Sequence, residues 1–325
     1  MFRKTLILTL LIALLAACAP AQTAPEVDSA PTEVVSAEAA STEAASEADA
    51  YLVTSDGLGR EVTLAEPAQR VVSLAPSITE ILFAVGAGDQ VVGRDEFSDY
   101  PAEAASIDSV GGSMGEYSVE AIVALEPNLV LAAEINTPEL VNQLEDLGLT
   151  VFYVNNPTTI EEMYGSLENV AALTGHDVTE LIDSLKDRVA AVDEKIAPIS
   201  ARPSVFYEID ASDPTKPWTY GPNSFGNLLI ERAGGFNIAS DATDPYPQLS
   251  LEQIVVANPS IILLGDSMWG VTPNSVLTRE GWETIAAVQN NQIFPIDDNL
   301  ISRPGPRLVD GLEALAKILH PGVFP

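Results

Sequence analysis

Two stretches of the chain decide its fold: "SVEAIVALEPNLVLAAE" at residues 118–134 and "SLEQIVVANPSIILLGD" at residues 250–266. They align without a gap, so that Ser118 matches Ser250. Each copy has a serine suited to cap a helix, a short helical segment, a proline that stops it and an apolar run of strand length. An αβ unit that occurs twice predicts two lobes of the same construction. The alternative is chance similarity between two ordinary αβ units.

Apolar runs of strand length alternate with helical segments through the rest of the chain. The clearest runs are "RVVSL" (70–74), "LTVFYVN" (149–155), "PSVFYEI" (203–209) and "QIFPID" (292–297). The first is followed by a Pro-Ser turn and then by a helical pattern that Gly86 ends. Continuous apolar strands between helices are typical of parallel sheets that are covered on both faces. The sequence therefore predicts an α/β fold of two Rossmann-like lobes with mainly parallel sheets.

Residues 159–200 are predicted to form a helical bridge between an N-terminal α/β lobe (51–158) and a C-terminal α/β lobe (201–325). After Gly175 an apolar stripe runs for about five turns, with charged residues on the opposite face, and it ends at Pro198. A single long α-helix as the connection is stiffer than the extended strands of an ordinary hinge. We therefore expect a small opening motion.

The N-terminus has the pattern of an export signal. Arg3 and Lys4 precede an uncharged apolar run too short to span a bilayer, so residues 1–17 are predicted to be a signal peptide. The run ends in "LAAC", which resembles the bacterial lipobox and makes Cys18 the predicted acylated residue. The alternative is a plain signal peptide with a leftover cysteine, but a lone exported thiol would be open to oxidation.

Composition limits what the exported part can do. Residues 18–50 carry the acylated cysteine and a tether rich in Ala, Ser, Thr, Pro and Glu, which we predict to be disordered. The chain has 47 acidic and 15 basic residues, a formal net charge of −32. Such a surface repels nucleic acid and anionic lipid, so no nucleic acid partner is expected and the acyl chains supply the membrane attachment. The chain is expected to be a monomer.

Several segments carry a family resemblance. "FSDYPAEA" (97–104), "GPNSFGNLLIERAGGFNIA" (221–239) and "SRPGPRLVDGLEALAKILHP" (302–321), together with the repeat, resemble the substrate-binding lipoproteins of ABC importers for vitamin B12, haem and ferric siderophores. The resemblance implies two lobes joined by one long helix, a ligand in the cleft between them and a permease as partner. It also implies a location in the periplasm or on the outer cell surface of a bacterium.

An enzyme is not expected. His176 and His320 are the only histidines, and neither has an obvious nucleophile or metal partner nearby in the sequence. There is no Walker loop, and "GAGDQVVG" (86–93) lacks the spacing of a dinucleotide-binding turn. We therefore predict no catalytic residue, no metal ligand and no cofactor other than the bound ligand. A structural or adhesive surface protein is a second alternative to transport.

The ligand site is predicted on loops beyond the carboxyl ends of the strands, where paired αβ lobes face each other. Large apolar rings in these loops suit a macrocycle, although each ring singly could belong to core or rim packing. Tyr100, beside Pro101, is expected to be structural, and Arg307 to start or brace the last helix. The predicted ligand-binding residues are Phe97, Met114, Tyr117, Trp218, Tyr246, Trp269 and Arg303.

Within the resembling family, "FSDYPAEA" with the following "VGG" (110–112) is most similar to the corrinoid binders. The resemblance implies that Phe97 and Tyr246 pack on a cobalamin from the two lobes. Met114 and Ala133 stand where B12 binders carry tryptophans. Two other metal chelates, haem and ferric siderophores, therefore remain alternative ligands.

Glu120 and Glu252 occupy equivalent positions in the two repeats, two residues after the predicted helix caps. A carboxylate there interacts favourably with the positive end of a helix, which is one explanation for the pair. The family resemblance implies another: each lobe offers one glutamate to the arginines of a two-fold symmetric permease.

Overall fold

The computed structural model describes residues 50–112 and 115–324. The signal peptide, Cys18, all but the last residue of the predicted tether, and Met114 lie outside the described residues. Within these ranges no helix has the length and apolar composition to cross a membrane.

Ten strands are present in the described part of the chain. They are β1 (Leu52–Ser55), β2 (Glu61–Leu64), β3 (Val71–Ser73), β4 (Val91–Arg94), β5 (Leu129–Ala133), β6 (Val151–Val154), β7 (Ser204–Glu208), β8 (Phe236–Asn237), β9 (Ile261–Leu264) and β10 (Ile293–Pro295). Two four-stranded sheets, in the orders β4-β3-β5-β6 and β8-β7-β9-β10, form the centres of lobe one and lobe two. Every neighbouring pair in them is parallel.

Eleven α-helices, together with short 3₁₀ helices, cover and connect these sheets in the described part of the chain. They are α1 (Pro76–Ala84), α2 (Val119–Ala124), α3 (Pro138–Asp146), α4 (Ile160–Thr174), α5 (Thr179–Ile196), α6 (Phe225–Arg232), α7 (Leu251–Ala257), α8 (Pro273–Leu277), α9 (Ala286–Gln289), α10 (Asn299–Ser302) and α11 (Leu308–Leu319). The predicted Pro-Ser turn is wrong, because Pro76 is the first residue of α1. Proline fits there since its missing N–H would have no partner in the first turn.

The two copies of the repeat hold the same place in the two lobes. Ser118 caps α2 by accepting a hydrogen bond from the N–H of Ala121, and Ser250 caps α7 by accepting one from Gln253. The strands that follow, β5 and β9, both lie inside their sheets, each with a parallel neighbour on either side. This common topology confirms the predicted two-lobed α/β fold.

The segment between the lobes contains two helices. Gly175, with φ of +81°, ends α4, and the 18-residue α5 then leads toward β7, the first strand of lobe two. The buried face of α5 carries part of the predicted stripe: Ile182, Leu185, Val189 and Val192. The largest hydrophobic cluster continues from lobe one through α4 and α5 into lobe two, so the lobes share a core beside the connecting helix.

The sequence patterns did not predict the antiparallel hairpin β1–β2. Each of its strands has only four residues, so the alternation of buried and exposed positions is too short to stand out in the sequence. Its turn is built on Asp56, whose Oδ1 accepts hydrogen bonds from the N–H groups of Leu58 and Arg60. Oδ2 of Asp56 accepts from the N–H of Tyr153 at 3.2 Å and pairs with the Arg60 guanidinium, which joins the hairpin to β6.

Candidate functional site

Exposed aromatic side chains gather beyond the carboxyl ends of the parallel strands. Phe97 follows β4 and is 52% exposed, and Trp269 follows β9 and is 77% exposed. Trp218 and Tyr246, in irregular segments of lobe two, are also exposed. Large aromatic side chains are usually buried in the core. Several exposed ones beyond the same ends of the strands in both sheets therefore indicate a surface that binds a ligand or a partner.

Tyr246 is the outer member of a stack of three tyrosines. The ring centroids of Tyr207 and Tyr220 are 4.8 Å apart in an edge-to-face arrangement, and Tyr220 and Tyr246 are 6.0 Å apart. Tyr207 and Tyr220 are fully buried, while Tyr246 keeps 39% of its surface in solvent. Gly226 makes room for this stack, because a Cβ at that position would collide with the Tyr220 ring. One side of the Tyr246 ring therefore packs on Tyr220, and the other side faces the cleft.

A cavity of about 370 Å³ lies between the lobes in front of Tyr246. Its size is near the lower end of the range of roughly 300–1,000 Å³ found for small-molecule pockets. Lobe one lines it with Glu134, Ile135, Asn156, Pro157 and Thr158, and lobe two with Asn223, Phe225, Pro245 and Tyr246. Apolar groups and amides dominate this lining, and the single charged side chain in it is a carboxylate.

The two exposed tryptophans stand on different supports in lobe two. The backbone of Trp218 is fixed by its N–H, which donates to Asp210 at 2.8 Å, and by a second bridge to Gln248. Trp269 ends a short 3₁₀ helix and is followed by Gly270 in the left-handed region. Neither ring lines the 370 Å³ cavity. Their part in ligand binding stays a prediction.

Phe97 and Tyr117 are organised by a buried carboxylate. Oδ1 of Asp95 accepts a hydrogen bond from the N–H of Phe97 at 2.8 Å, which shapes the loop after β4. Oη of Tyr117 lies 2.8 Å from Oδ2 of Asp95 and 2.7 Å from the carbonyl oxygen of Leu74. Burial raises the pKa of Asp95. Because the Tyr117 hydroxyl points into lobe one, Tyr117 supports the Phe97 loop and does not offer its oxygen to a ligand in this state.

Arg303 pairs with carboxylates of lobe one. Its Nη1 lies 3.0 Å from Oε1 of Glu80 and 2.7 Å from Oδ1 of Asp99, and its Nη2 donates to the carbonyl of Phe97 at 3.3 Å. The guanidinium of Arg303, one of the predicted ligand-binding residues, is thus already engaged by carboxylates of the protein. Arg307 is the residue before α11 and also binds Glu80, which agrees with its predicted bracing role.

The docking candidates are placed symmetrically on the repeats. Glu120 lies in the first turn of α2 and Glu252 in the first turn of α7, and both are exposed. Neither carboxylate forms an ion pair with another described residue. Both are therefore available to an external partner.

A larger cavity of about 540 Å³ lies on lobe one alone, between the β1–β2 hairpin, the end of β6 and α4. It shares residues 156–158 with the cavity between the lobes. Since only one lobe forms it, we regard the cavity between the lobes as the candidate site.

Sequence reasoning missed several members of this site. Ile135 lies two residues after β5 and is 58% exposed, so its position after a buried strand could have identified it. Asn223 and Phe225 lie in the "GPNSFGN" segment, where the family resemblance was the available signal. Glu80, which holds Arg303 outside the lining of the cavity, was not singled out because a glutamate on a helix gives no local sign that it is buried.

Comparison with known proteins gives consistent matches across both lobes. The sequence profile of the periplasmic binding protein family matches residues 71–300. The chain is 35% identical over 276 residues to the uncharacterised ABC transporter substrate-binding lipoprotein YvrC of Bacillus subtilis, covering 83% of this chain and 85% of that protein. It is 33% identical over 279 residues to a cobalamin-binding protein of Halobacterium salinarum, covering 82% and 73%. Among solved structures, the periplasmic haem-binding protein RhuT of Roseiflexus is 26% identical with a TM-score of 0.69, covering 79% and 99%.

Proposed function

Because this chain belongs to the periplasmic binding protein family, and its relatives include substrate-binding proteins of ABC transporters, we propose that it delivers a corrinoid to an ABC importer. The role is one of binding and delivery, and no chemical step is involved. The cleft between the lobes is the proposed ligand site, with Tyr246 and Phe97 as aromatic contacts from opposite sides.

The charge of the cavity between the lobes is the observation that carries this choice of ligand. Amides and apolar groups form most of its lining, with the carboxylate of Glu134 and no basic side chain among its described members. The corrin ring carries neutral amide side chains, which can exchange hydrogen bonds with Asn156 and Asn223. Haem carries two propionates, and these would meet a carboxylate without a compensating cation.

Haem and ferric siderophores are the alternative ligands, and the fold alone does not separate them. The Roseiflexus protein of similar fold is named a haem-binding protein, which keeps haem among the candidates. For this chain, an anionic ligand would need Arg303 to leave Glu80 and Asp99, which costs two charge-assisted hydrogen bonds. Charge complementarity therefore favours the corrinoid.

The remaining partners follow from the same role. Glu120 and Glu252, one on each lobe, are proposed to meet arginines of a two-fold symmetric permease. Acylated Cys18 is proposed to hold the protein to a membrane, in the periplasm or on the outer surface of the cell. The lipoprotein relative from Bacillus subtilis supports this anchor. The monomer, with one ligand per chain, is the proposed working form.

Titration of the purified protein with cyanocobalamin, haemin and a ferric hydroxamate siderophore tests the proposal. Visible absorption spectra and isothermal calorimetry should give saturable binding of cyanocobalamin at one site per chain. Saturable binding of haemin or the siderophore with no heat from cyanocobalamin would exclude the corrinoid and leave the transport role. No binding of any of the three would contradict the transport role for this ligand group.

A further inference from the structure

Glu80 is a buried carboxylate at the junction of the lobes. It lies on α1 of lobe one, and only 2% of the residue is exposed. Oε1 of Glu80 lies 3.0 Å from Nη1 of Arg303, and Oε2 lies 2.7 Å from Nε of Arg307. Both arginines belong to lobe two, in the loop between α10 and α11. One carboxylate of lobe one thus holds two guanidinium groups of lobe two.

Arg303 extends this contact to the loop that carries Phe97, a proposed ligand contact that does not line the 370 Å³ cavity. The guanidinium that binds Glu80 also binds the Asp99 carboxylate and the Phe97 carbonyl. Asp95 holds the N–H of Phe97 from the lobe-one side. Phe97 is therefore fixed from lobe one by Asp95 and from lobe two by Arg303.

We name Glu80, Asp99, Arg303 and Arg307 the inter-lobe ion cluster. Among the ion pairs of the described residues, those of this cluster alone join the sheet-containing part of lobe one to lobe two. The other pairs lie inside one lobe or join α5 to helices of lobe two. Tyr100 adds to the contact, because the Arg307 guanidinium carbon lies 3.9 Å above its ring.

The charged groups of Glu80, Arg303 and Arg307 in this cluster are largely shielded from water, which strengthens the attraction between them. Both arginine side chains are nearly buried, at 12% and 13% exposure, and Glu80 is their shared counter-charge. Separating the lobes here would break the pairs that Glu80 and Asp99 form with the two arginines, at a cost set by the lost pairing against the regained hydration of the charges. We therefore expect the cluster to favour one separation of the lobes before any ligand arrives.

We propose that Glu80 is a positioning residue of the binding cleft, acting through Arg303 to set the position of Phe97 against the ligand. This rests on the proposed function, because Phe97 has to be a ligand contact. A cleft fixed in advance loses less conformational freedom when the ligand binds, and this slows dissociation. Glu80 itself does not touch the ligand.

The first test measures the distance between the lobes without ligand. In the full chain with Cys18→Ser, spin labels are attached at Asn142→Cys on α3 and Glu283→Cys in lobe two, which are exposed positions. Since Cys18 is the only natural cysteine, these are the only thiols. Glu80→Gln should broaden or lengthen the distance distribution. Asp56→Asn, which removes a buried arginine-paired carboxylate inside lobe one, is the matched control and should leave it unchanged.

The second test measures dissociation of cyanocobalamin by stopped-flow absorbance. Glu80→Gln should raise the dissociation rate about ten-fold, within the coupling range seen for contacting residues. In a Phe97→Ala background, Glu80→Gln should have little further effect on the dissociation rate. Both substitutions remove the same contact, that of the positioned Phe97 ring with the ligand. A residue that only stabilises the fold would give independent effects in this double-mutant cycle. The Asp56→Asn control should dissociate at the wild-type rate.

Unchanged distances together with additive effects of Glu80→Gln and Phe97→Ala would overturn the proposal. If Glu80→Gln does not fold, Arg303→Lys carries the same two tests. Lysine keeps the positive charge, but its single ammonium group cannot bind Glu80, Asp99 and the Phe97 carbonyl together as the guanidinium does. If wild-type protein does not bind cyanocobalamin, the proposed function fails. The distance measurement then still decides whether Glu80 fixes the lobes.

Discussion

Replacing Asp266 by asparagine should change how the stability of this protein depends on pH. Asp266 follows β9 and is 4% exposed. Burial, and after it the charge of the neighbouring Glu208 carboxylate, raise the pKa of Asp266 from 3.8 to about 7. Arg279 lowers the pKa of Asp266 only in part, because its guanidinium is held by Glu208 at 2.5 and 2.7 Å. At neutral pH, Asp266 is therefore close to half protonated.

The sign of the effect follows from proton binding in the two states. Between about pH 4 and pH 7 the folded chain keeps a proton on Asp266 that the unfolded chain has released, so stability falls as the pH rises through this window. A pKa shift of about three units corresponds to a penalty of about 4 kcal/mol, which is complete above pH 7. Asparagine cannot ionise, and its amide can donate to Glu208 as the protonated acid does.

The assay is urea unfolding of wild type and Asp266→Asn at pH 4.5, 6 and 8, followed by circular dichroism. The two proteins should have similar free energies of unfolding at pH 4.5. At pH 8 the variant should be more stable by a few kcal/mol. Asp146→Asn, at an exposed position on α3, controls for the loss of one charge from an acidic chain. A difference between wild type and Asp266→Asn that stays constant with pH would refute the reasoning.

Three further predictions concern binding, docking and anchoring. Trp218→Ala and Tyr246→Ala should each weaken cyanocobalamin binding by about 1–3 kcal/mol in calorimetry, the scale for a lost aromatic contact, and unchanged affinity in both would move the site elsewhere. Glu120→Lys combined with Glu252→Lys should leave ligand binding intact, cost the fold about 1 kcal/mol or less and abolish uptake, since rim charges govern encounter and orientation; normal uptake at equal protein abundance would exclude docking through these glutamates. Cys18→Ser should abolish acylation and leave unprocessed precursor or a soluble exported protein, whereas an unmodified cysteine at the mature wild-type N-terminus, seen by mass spectrometry, would contradict the anchor.

The two-lobed architecture could be predicted from the sequence because its signals are local. A serine cap, a short helix and a buried strand are each encoded within a few residues, and the repeat at 118–134 and 250–266 encodes them twice. The apolar stripe after Gly175 likewise gave α5, whose buried face follows helical spacing. The hairpin β1–β2 was not predicted because its two strands have four residues each, too few for their alternation to stand out from the surrounding sequence.

For the candidate site, the sequence predicted only which residues lie near the ends of the strands. Tyr246, which lines the cavity between the lobes, was predicted in this way, since a loop after a parallel strand must emerge at one edge of the sheet. The role of Phe97, predicted by the same reasoning, stays a prediction. The side chains that these residues contact in the folded protein could not be predicted from the sequence. Tyr117 was predicted to contact the ligand, but its hydroxyl lies against Asp95 and Leu74 inside lobe one.

Tertiary structure alone decided which charges are paired. The chain has 47 acidic residues, and nothing in the sequence distinguishes Glu80 or Asp266 as buried. Arg303 and Glu80 are more than two hundred residues apart, and their contact depends on how the two lobes pack against each other. A local pattern determines which face of a helix or strand is apolar. The pairing of distant charges is set by the packing of whole lobes, because a charge that becomes buried loses its water and needs an opposite charge beside it.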